Sequence, residues 1–206
     1  MRAGVLFSGG KDSTLAALLL DTFYDVTLVH AGFDVSDAAE NAATTAEAID
    51  FPFERVELDA EVADAAVDAM LDDGFPRNGI QQVHEHALEA VAGEGFDAVA
   101  DGTRRDDRVP TVSRAWAQSL EDRRGVDYLS PLSGFGRNAV DRLVAESLEV
   151  EEAPSEQLSK GDYEAELREL LRERAGDGAV DEVFPDHVQT RVTGLREVGR
   201  NDPSTE

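Results

Sequence analysis

A short apolar strand, Ala3-Gly4-Val5-Leu6-Phe7, runs through Ser8-Gly9-Gly10-Lys11-Asp12-Ser13 into an apolar helix carrying Leu15, Leu18, Leu19 and Leu20. Two glycines let the backbone turn sharply and approach a ligand closely. The free N–H groups of the helix start then point into the turn, where the helix dipole favours an anion. Lys11 adds a positive charge and Ser13 a hydroxyl donor, while Asp12 caps the helix or holds a metal ion. The segment reads as a phosphate cradle. It is not a Walker A loop, because Val5 stands five residues before Gly10 and Asp12 follows the lysine.

The rest of the chain alternates strand and helix. Strands are expected at Asp25–Gly32, Phe53–Leu58, Phe96–Ala100 and Val126–Leu129. Helices are expected at Asp34–Asp50 (with Ser36 as cap), Glu61–Leu71, Gly79–Val91, Thr111–Arg124 and Asn138–Leu148. This pattern implies an α/β fold, a doubly wound parallel sheet with helices on both faces. The site then belongs at the carboxyl ends of the strands, near a topological switch point. Val150-Glu151-Glu152-Ala153-Pro154-Ser155 reads as a linker or lid, and Tyr163–Arg174 as a helix with Leu167, Leu170 and Leu171 on one face. The polar end from Asn201 is expected to fray.

The loop resembles the Ser-Gly-Gly-x-Asp-Ser signature of the PP-loop ATP pyrophosphatases, the adenine nucleotide alpha hydrolase superfamily. The resemblance covers residues 1–150 and leaves 151–206 as a helical C-terminal extension. It implies a five-stranded sheet of order 3-2-1-4-5. It also implies ATP and Mg²⁺ as ligands, with substrate adenylation and pyrophosphate release. On it, Ser8, Gly9, Gly10, Lys11, Asp12 and Ser13 hold the phosphates. Asp101-Gly102-Thr103-Arg104-Arg105-Asp106-Asp107 follows the fourth strand, where family members place a glycine-containing, acid-bearing segment, often Gly-His-Asn. Here Gly102 and Thr103 are read as nucleotide contacts, and Arg104 joins Lys11 and Asp12 as a catalytic residue. Asp106 and Asp107 are read as metal ligands beside Asp12. A solvated loop with self-paired charges is the other reading of this segment.

His30 and Gly32 end the second strand, where the family borders its adenine pocket; a plain strand-end turn is the alternative. Arg137 stands where relatives carry a basic residue near the phosphates, with a surface position equally open. Gly134-Phe135-Gly136-Arg137-Asn138-Ala139 fits a loose dinucleotide pattern but opens the last helix of the domain, not a βαβ unit, and is set aside. Phe184–Val192 is expected to fold back over the cleft and supply Gln189 and Arg191, or else to dock on the sheet. This stretch is also similar to a small archaeal PP-loop group linked to tRNA thiouridylases. His84 and His86, two apart on a helix, face different sides and read as ordinary surface or half-buried residues.

The formal net charge is −25, from 44 acids against 19 bases, and 17 of those bases are arginine. Acids spread over every expected helix favour a surface adapted to molar salt over an acidic protein for basic partners. In molar salt the Debye length shrinks to about 3 Å, so this charge does not exclude RNA. Arg104 to Arg142 carries eight arginines against six acids. It reads as a nucleic-acid footprint or, the favoured reading, as arginines paired with local aspartates. With no cysteine, the chain has no thiol for a persulfide, a disulfide or an iron–sulfur cluster. No apolar run approaches a membrane span, and the strand and loop at the start leave no room for a signal peptide, so a cytoplasmic protein is expected.

Three functions follow. The first is ATP-dependent adenylation of a tRNA base, with any sulfur coming from an external donor. The second is an amide-forming ligase using free or partner-supplied ammonia. The third is a non-catalytic ATP-binding regulatory subunit, which the missing Gly-His-Asn favours. The partners expected are ATP, tRNA and a sulfur or ammonia donor protein, with a homodimer left open and no membrane.

Overall fold

The structure, a computed structural model, describes residues 1–154, 158, 161–185 and 188–196. Strands β1 (Arg2–Leu6), β2 (Asp25–Gly32), β3 (Phe53–Glu57), β4 (Ala98–Ala100) and β5 (Asp127–Leu129) form one sheet of order β3-β2-β1-β4-β5. All four pairings are parallel, with Gly4 opposite Thr27 on one side and Val99 on the other. This is the expected α/β sheet and strand order.

Side chains alternate between two cores, as strand geometry requires. Along β1, Leu6 packs on one face and Val5 on the other; along β2, Val29 and Leu28 do the same. The first face is covered by α3 (Ala60–Asp73), α4 (Arg77–Val91) and α5 (Arg114–Arg124). The second is covered by α1 (Lys11–Leu20), α2 (Ala38–Ala48) and α6 (Arg137–Ser147). Local chemistry sets the helix ends. Asp59 caps α3 by accepting from Glu61 N at 2.9 Å, and Gly74, at φ 64°, ends it in the left-handed conformation. Helix α5 starts three residues later than Pro110 suggests, because Ser113 caps it by accepting from Trp116 N.

The segment after residue 147 differs from the expected linker. Helix α6 passes directly into strand β6 (Leu148–Pro154), which pairs antiparallel with β7 (Val188–Leu195). Leu148 is fully buried and Val150 packs against the same cluster, so alternate residues anchor an otherwise acidic strand. Ser155 and the tail from Asn201 lie outside the described residues. Helix α7 (Tyr163–Ala175) is where the sequence placed it, and a short helix α8 (Asp177–Val183) follows. Leu167, Leu171, Val180 and Phe184 complete the first core, and Leu148 and Val192 the second. The extension is therefore packed onto the sheet. Among the described residues, no helix is long and apolar enough to cross a membrane.

Candidate functional site

Strand order reverses beside β1: β2 and β3 extend to one side, β4 and β5 to the other. The loops leaving β1 and β4 therefore meet at the switch point, where open α/β sheets bind ligands. The β1 loop needs its glycines. Gly9 sits at φ +75°, a conformation that L side chains rarely adopt. Gly10 precedes α1 in extended conformation, and its carbonyl accepts from Ser13 Oγ at 3.1 Å and Thr14 Oγ1 at 2.9 Å. The C-terminal segment pins the other face of the loop: Gly161 N donates to Ser8 O at 3.1 Å and Val192 N to Gly9 O at 2.9 Å.

The β4 loop lies directly on the start of α1. A Cβ at Gly102 would stand 2.7 Å from Ser13 N and 2.8 Å from the Asp12 carbonyl carbon, both backbone atoms that cannot rotate away. Gly102→Ala is therefore expected to force the two loops apart. Nucleotide binding, read by titration with labelled ATP, should fall sharply while helix content by circular dichroism is retained.

Charges gather where the loops meet. Lys11 Nζ lies 2.6 Å from Asp141 Oδ1 on α6. Arg104 binds Asp107 through Nε at 3.0 Å and Nη2 at 2.5 Å, and reaches Asp12 Oδ2 at 3.7 Å. Asp12 Oδ1 is buried with no partner. Burial raises the Asp12 pKa, against the pull of Arg104 and Lys11. The three carboxylates expected to share a metal do not converge. Asp107 is taken up by the Arg104 guanidinium and backbone N–H. Asp106 instead accepts from Arg137 N at 3.0 Å, at the first turn of α6. Among the described residues, no group of three His, Cys, Asp or Glu is arranged to hold a metal. A Mg²⁺ bound mainly by phosphate oxygens and water needs one or two protein carboxylates, and the partnerless Asp12 oxygen fits that requirement.

Two cavities open here and share Ser8, Asp12 and Ser13 as a wall. One, of about 520 Å³, is polar and takes Lys11, Arg104, Arg137 and Gln189 into its lining. The other, of about 320 Å³, is bounded by Leu6, Phe7, Ala31, Ile80, Gly102 and Thr103. Gln189 thus reaches the cleft as expected, whereas Arg191 turns away to Glu151 at 2.7 Å. Asp186 and His187 of the same stretch lie outside the described residues.

His30 and Gly32 do not line either cavity; Ala31 between them does. His30 is buried, with Nδ1 3.1 Å from Gly161 O, and burial lowers its pKa. The space beside Gly32 is filled by His30 Nε2 and Glu166 Oε2, which a Cβ would meet at 2.5 and 2.6 Å. Glu166 is 1% exposed, accepts from Phe33 N at 3.0 Å, and is pushed up in pKa by its burial. The pair at the end of β2 therefore anchors the C-terminal segment.

A buried network stands behind Thr103. His84 is 3% exposed and Asp101 2%. His84 Nε2 lies 2.9 Å from Asp101 Oδ2, and its Nδ1 lies 2.7 Å from the Tyr163 hydroxyl. Tyr128 donates to the same Asp101 oxygen at 2.9 Å, while Thr103 donates to Oδ1 from N at 2.9 Å and from Oγ1 at 2.6 Å. All four acceptor positions of Asp101 are filled, so its carboxylate fixes the exit of the chain from β4. His84 is a core positioning residue, contrary to its reading as an ordinary one. His86 faces elsewhere, with Nε2 3.3 Å from Asp59 N.

The sheet order and the switch point beside the Ser-Gly-Gly-Lys-Asp-Ser loop agree with the fold that the loop's resemblance implies. The chain belongs to a family of unknown function, DUF7411, whose sequence model matches residues 1–194. It is 41% identical over 197 residues to an uncharacterized protein of Methanocaldococcus jannaschii, covering 95% of this chain and 97% of the relative. A crystal structure described as a predicted subunit of tRNA methyltransferase, from the same organism, is similar at 40% identity and a TM-score of 0.86. That match covers 96% of this chain and 99% of the other. The U34-tRNA thiolase NcsA of Methanococcus maripaludis, solved with its 4Fe–4S cluster, matches at 16% identity and a TM-score of 0.47, over 87% of this chain and 69% of that one.

Proposed function

We propose that the protein binds Mg²⁺–ATP across the two cavities and adenylates a tRNA base, releasing pyrophosphate. The observation that carries this reading is the meeting of Lys11, Arg104 and Arg137 on one polar cavity floored by a glycine loop and a helix start. Three cations there suit a polyphosphate, and the adjoining apolar cavity falls in the size range of about 300–1,000 Å³ typical of small-molecule sites. The relative described as a predicted tRNA methyltransferase subunit supports tRNA as the partner.

In the reaction, a carbonyl oxygen of the base attacks the α-phosphorus and the bond to the pyrophosphate oxygen breaks. Charge then grows on the leaving group. Lys11, Arg104 and Arg137 neutralise it, while the N–H groups of the loop and the Ser13 hydroxyl hold the phosphates in place. Asp12 would hold Mg²⁺, which would supply further neutralisation of the phosphate charge. Nitrogen or sulfur from outside then displaces AMP. Any sulfur must come from an external donor, because the chain has no cysteine.

A second reading, an ATP-binding subunit without turnover, is favoured by the ion pairs that already occupy Lys11 and Arg104. The fate of α-labelled ATP with Mg²⁺ in high-salt buffer separates the readings. AMP that rises with total tRNA supports adenylation of RNA. AMP that rises with ammonium instead supports the amide-forming ligase. ATP that binds and stays intact under every condition supports the subunit.

A further inference from the structure

Seven arginines in this acidic chain have no carboxylate within ion-pairing distance among the described residues; Arg196, at the end of β7, instead donates to the Leu148 carbonyl at 2.8 Å, which leaves Arg77, Arg105, Arg108, Arg114, Arg137 and Arg142. All six are exposed. With 44 acids against 19 bases, the place of an arginine left unpaired is informative. Elsewhere the arginines are held: Arg55 by Glu40, Arg123 and Arg124 by Glu89, Arg174 by Asp64 and Asp68.

The six share one edge. Arg77 and Arg114 stand at the first turns of α4 and α5, Arg137 at the first turn of α6 and Arg142 farther along it. Arg105 and Arg108 lie on the loop leaving β4, whose residue Thr111 is tied to α4 by reciprocal bonds with Gln81 at 2.8 and 2.9 Å. Arg105 also lies against the turn before α6, with Nη1 3.5 Å from Gly134 O. Arg77 and Arg108 line a further cavity of about 520 Å³, which adjoins the apolar cavity through Val109. Acids in this region are occupied locally: Glu85 accepts from Gln81 at 2.8 Å and Asp106 from Arg137 N. The local pairing favoured on sequence holds for Arg104, Arg123 and Arg124 and fails for the other five arginines between residues 104 and 142.

We propose that this arginine rim, from Arg142 on α6 across the β4 loop to the start of α4, with Arg137 at its inner border facing the polar cavity, binds the phosphodiester backbone of an RNA strand. Guanidinium groups on adjoining elements match an extended polyanion, and the acidic remainder of the surface repels the same strand elsewhere, which fixes its path. The rim borders both cavities, so a bound strand brings its bases to the cleft. The assignment rests on the reading of tRNA as the partner.

The test compares binding of a fluorescein-labelled, unmodified tRNA transcript across a potassium chloride titration. The Arg77→Ala/Arg108→Ala/Arg114→Ala variant is set against Arg55→Ala/Arg123→Ala/Arg172→Ala, which removes equal charge from paired arginines. The rim variant is expected to lose affinity about tenfold or more and to flatten the salt slope by about 2–3, since each of three lost phosphate contacts removes about 0.7–0.9. The control variant should keep both within about twofold of wild type, and labelled ATP should bind all three alike. The rim assignment is overturned by absent RNA binding in the wild type, by equal losses in both variants, by no loss in the rim variant, or by equal affinity for a DNA hairpin of the same length. RNA binding through the rim without ATP binding leaves the rim standing and removes the adenylation reading. ATP cleavage without RNA binding does the reverse.

Discussion

Lys11→Ala is expected to lower AMP formation by about 10²–10³-fold, the usual effect of removing one charge-stabilising donor from a reacting centre. The expectation rests on where Lys11 stands. It opens α1, lines the polar cavity and has a side chain largely shielded from solvent. Its ammonium is held 2.6 Å from Asp141, which it keeps below the usual carboxylate range. Removing the lysine therefore does two things. It takes away a cation that meets the phosphates, and it leaves an unneutralised carboxylate at the mouth of their cavity. Both effects weaken ATP binding, and the first also slows the chemical step. Asp141→Asn separates them, because it frees Lys11 without removing it. That variant is expected to bind ATP at least as tightly as wild type. Equal turnover in Lys11→Ala and wild type, measured by AMP release from α-labelled ATP, would exclude this cavity as the phosphate site.

How much of this was legible in the sequence depends on how local each cause is. The β1 loop is contiguous, and its glycines, cation and hydroxyl carry their chemistry within six residues, so its place at a strand end could be read directly. The parallel sheet followed from alternation, but the order of strands followed only from resemblance. Asp106 and Asp107 were misread because a carboxylate's partner is not written beside it: Arg104 folds back three residues to take one, and the start of α6 takes the other. Strands β6 and β7 were hidden because Leu148, Val150 and Val192 are sparse among acidic and polar residues, and the pairing partners lie about forty residues apart. His84 was hidden most completely. Its two partners stand 17 and 79 residues away, on β4's exit and on α7, and a lone histidine on a helix carries no periodic signal. Asp101-Gly102-Thr103 offered one clue, since an aspartate that accepts from the N–H two residues on is a common way to turn a chain at a strand end.

Asp101→Asn tests whether that hidden network holds the site together. Four donors converge on the Asp101 carboxylate: His84 Nε2, the Tyr128 hydroxyl, and Thr103 N and Oγ1. An amide of the same shape offers one oxygen and turns an NH₂ group toward the remaining donors. Each buried polar group left unsatisfied costs about 1–3 kcal/mol, so a loss of about 2–5 kcal/mol is expected for the set. For a chain of this size that lowers Tm by roughly 5–15 °C. The acid side gives an independent check. Burial alone would raise the Asp101 pKa, but the bonds from His84 and Thr103 outweigh it and hold the carboxyl below its ordinary value. A carboxyl lowered by folding stabilises the native state above its unfolded pKa, and that contribution disappears as pH falls through the lower, folded value. Wild type should therefore lose its advantage over Asp101→Asn as pH drops below about 4, and the two urea-denaturation curves should draw together there. Asp12 and Glu166, both raised by burial, bias stability in the opposite direction in both proteins and cancel in the difference. A stability gap that does not change with pH would show that Asp101 acts through shape alone. With the carboxylate confirmed as the anchor, loss of ATP affinity in Asp101→Asn under conditions where it remains folded would tie this buried network to the placement of Gly102 and Thr103 against the phosphate loop.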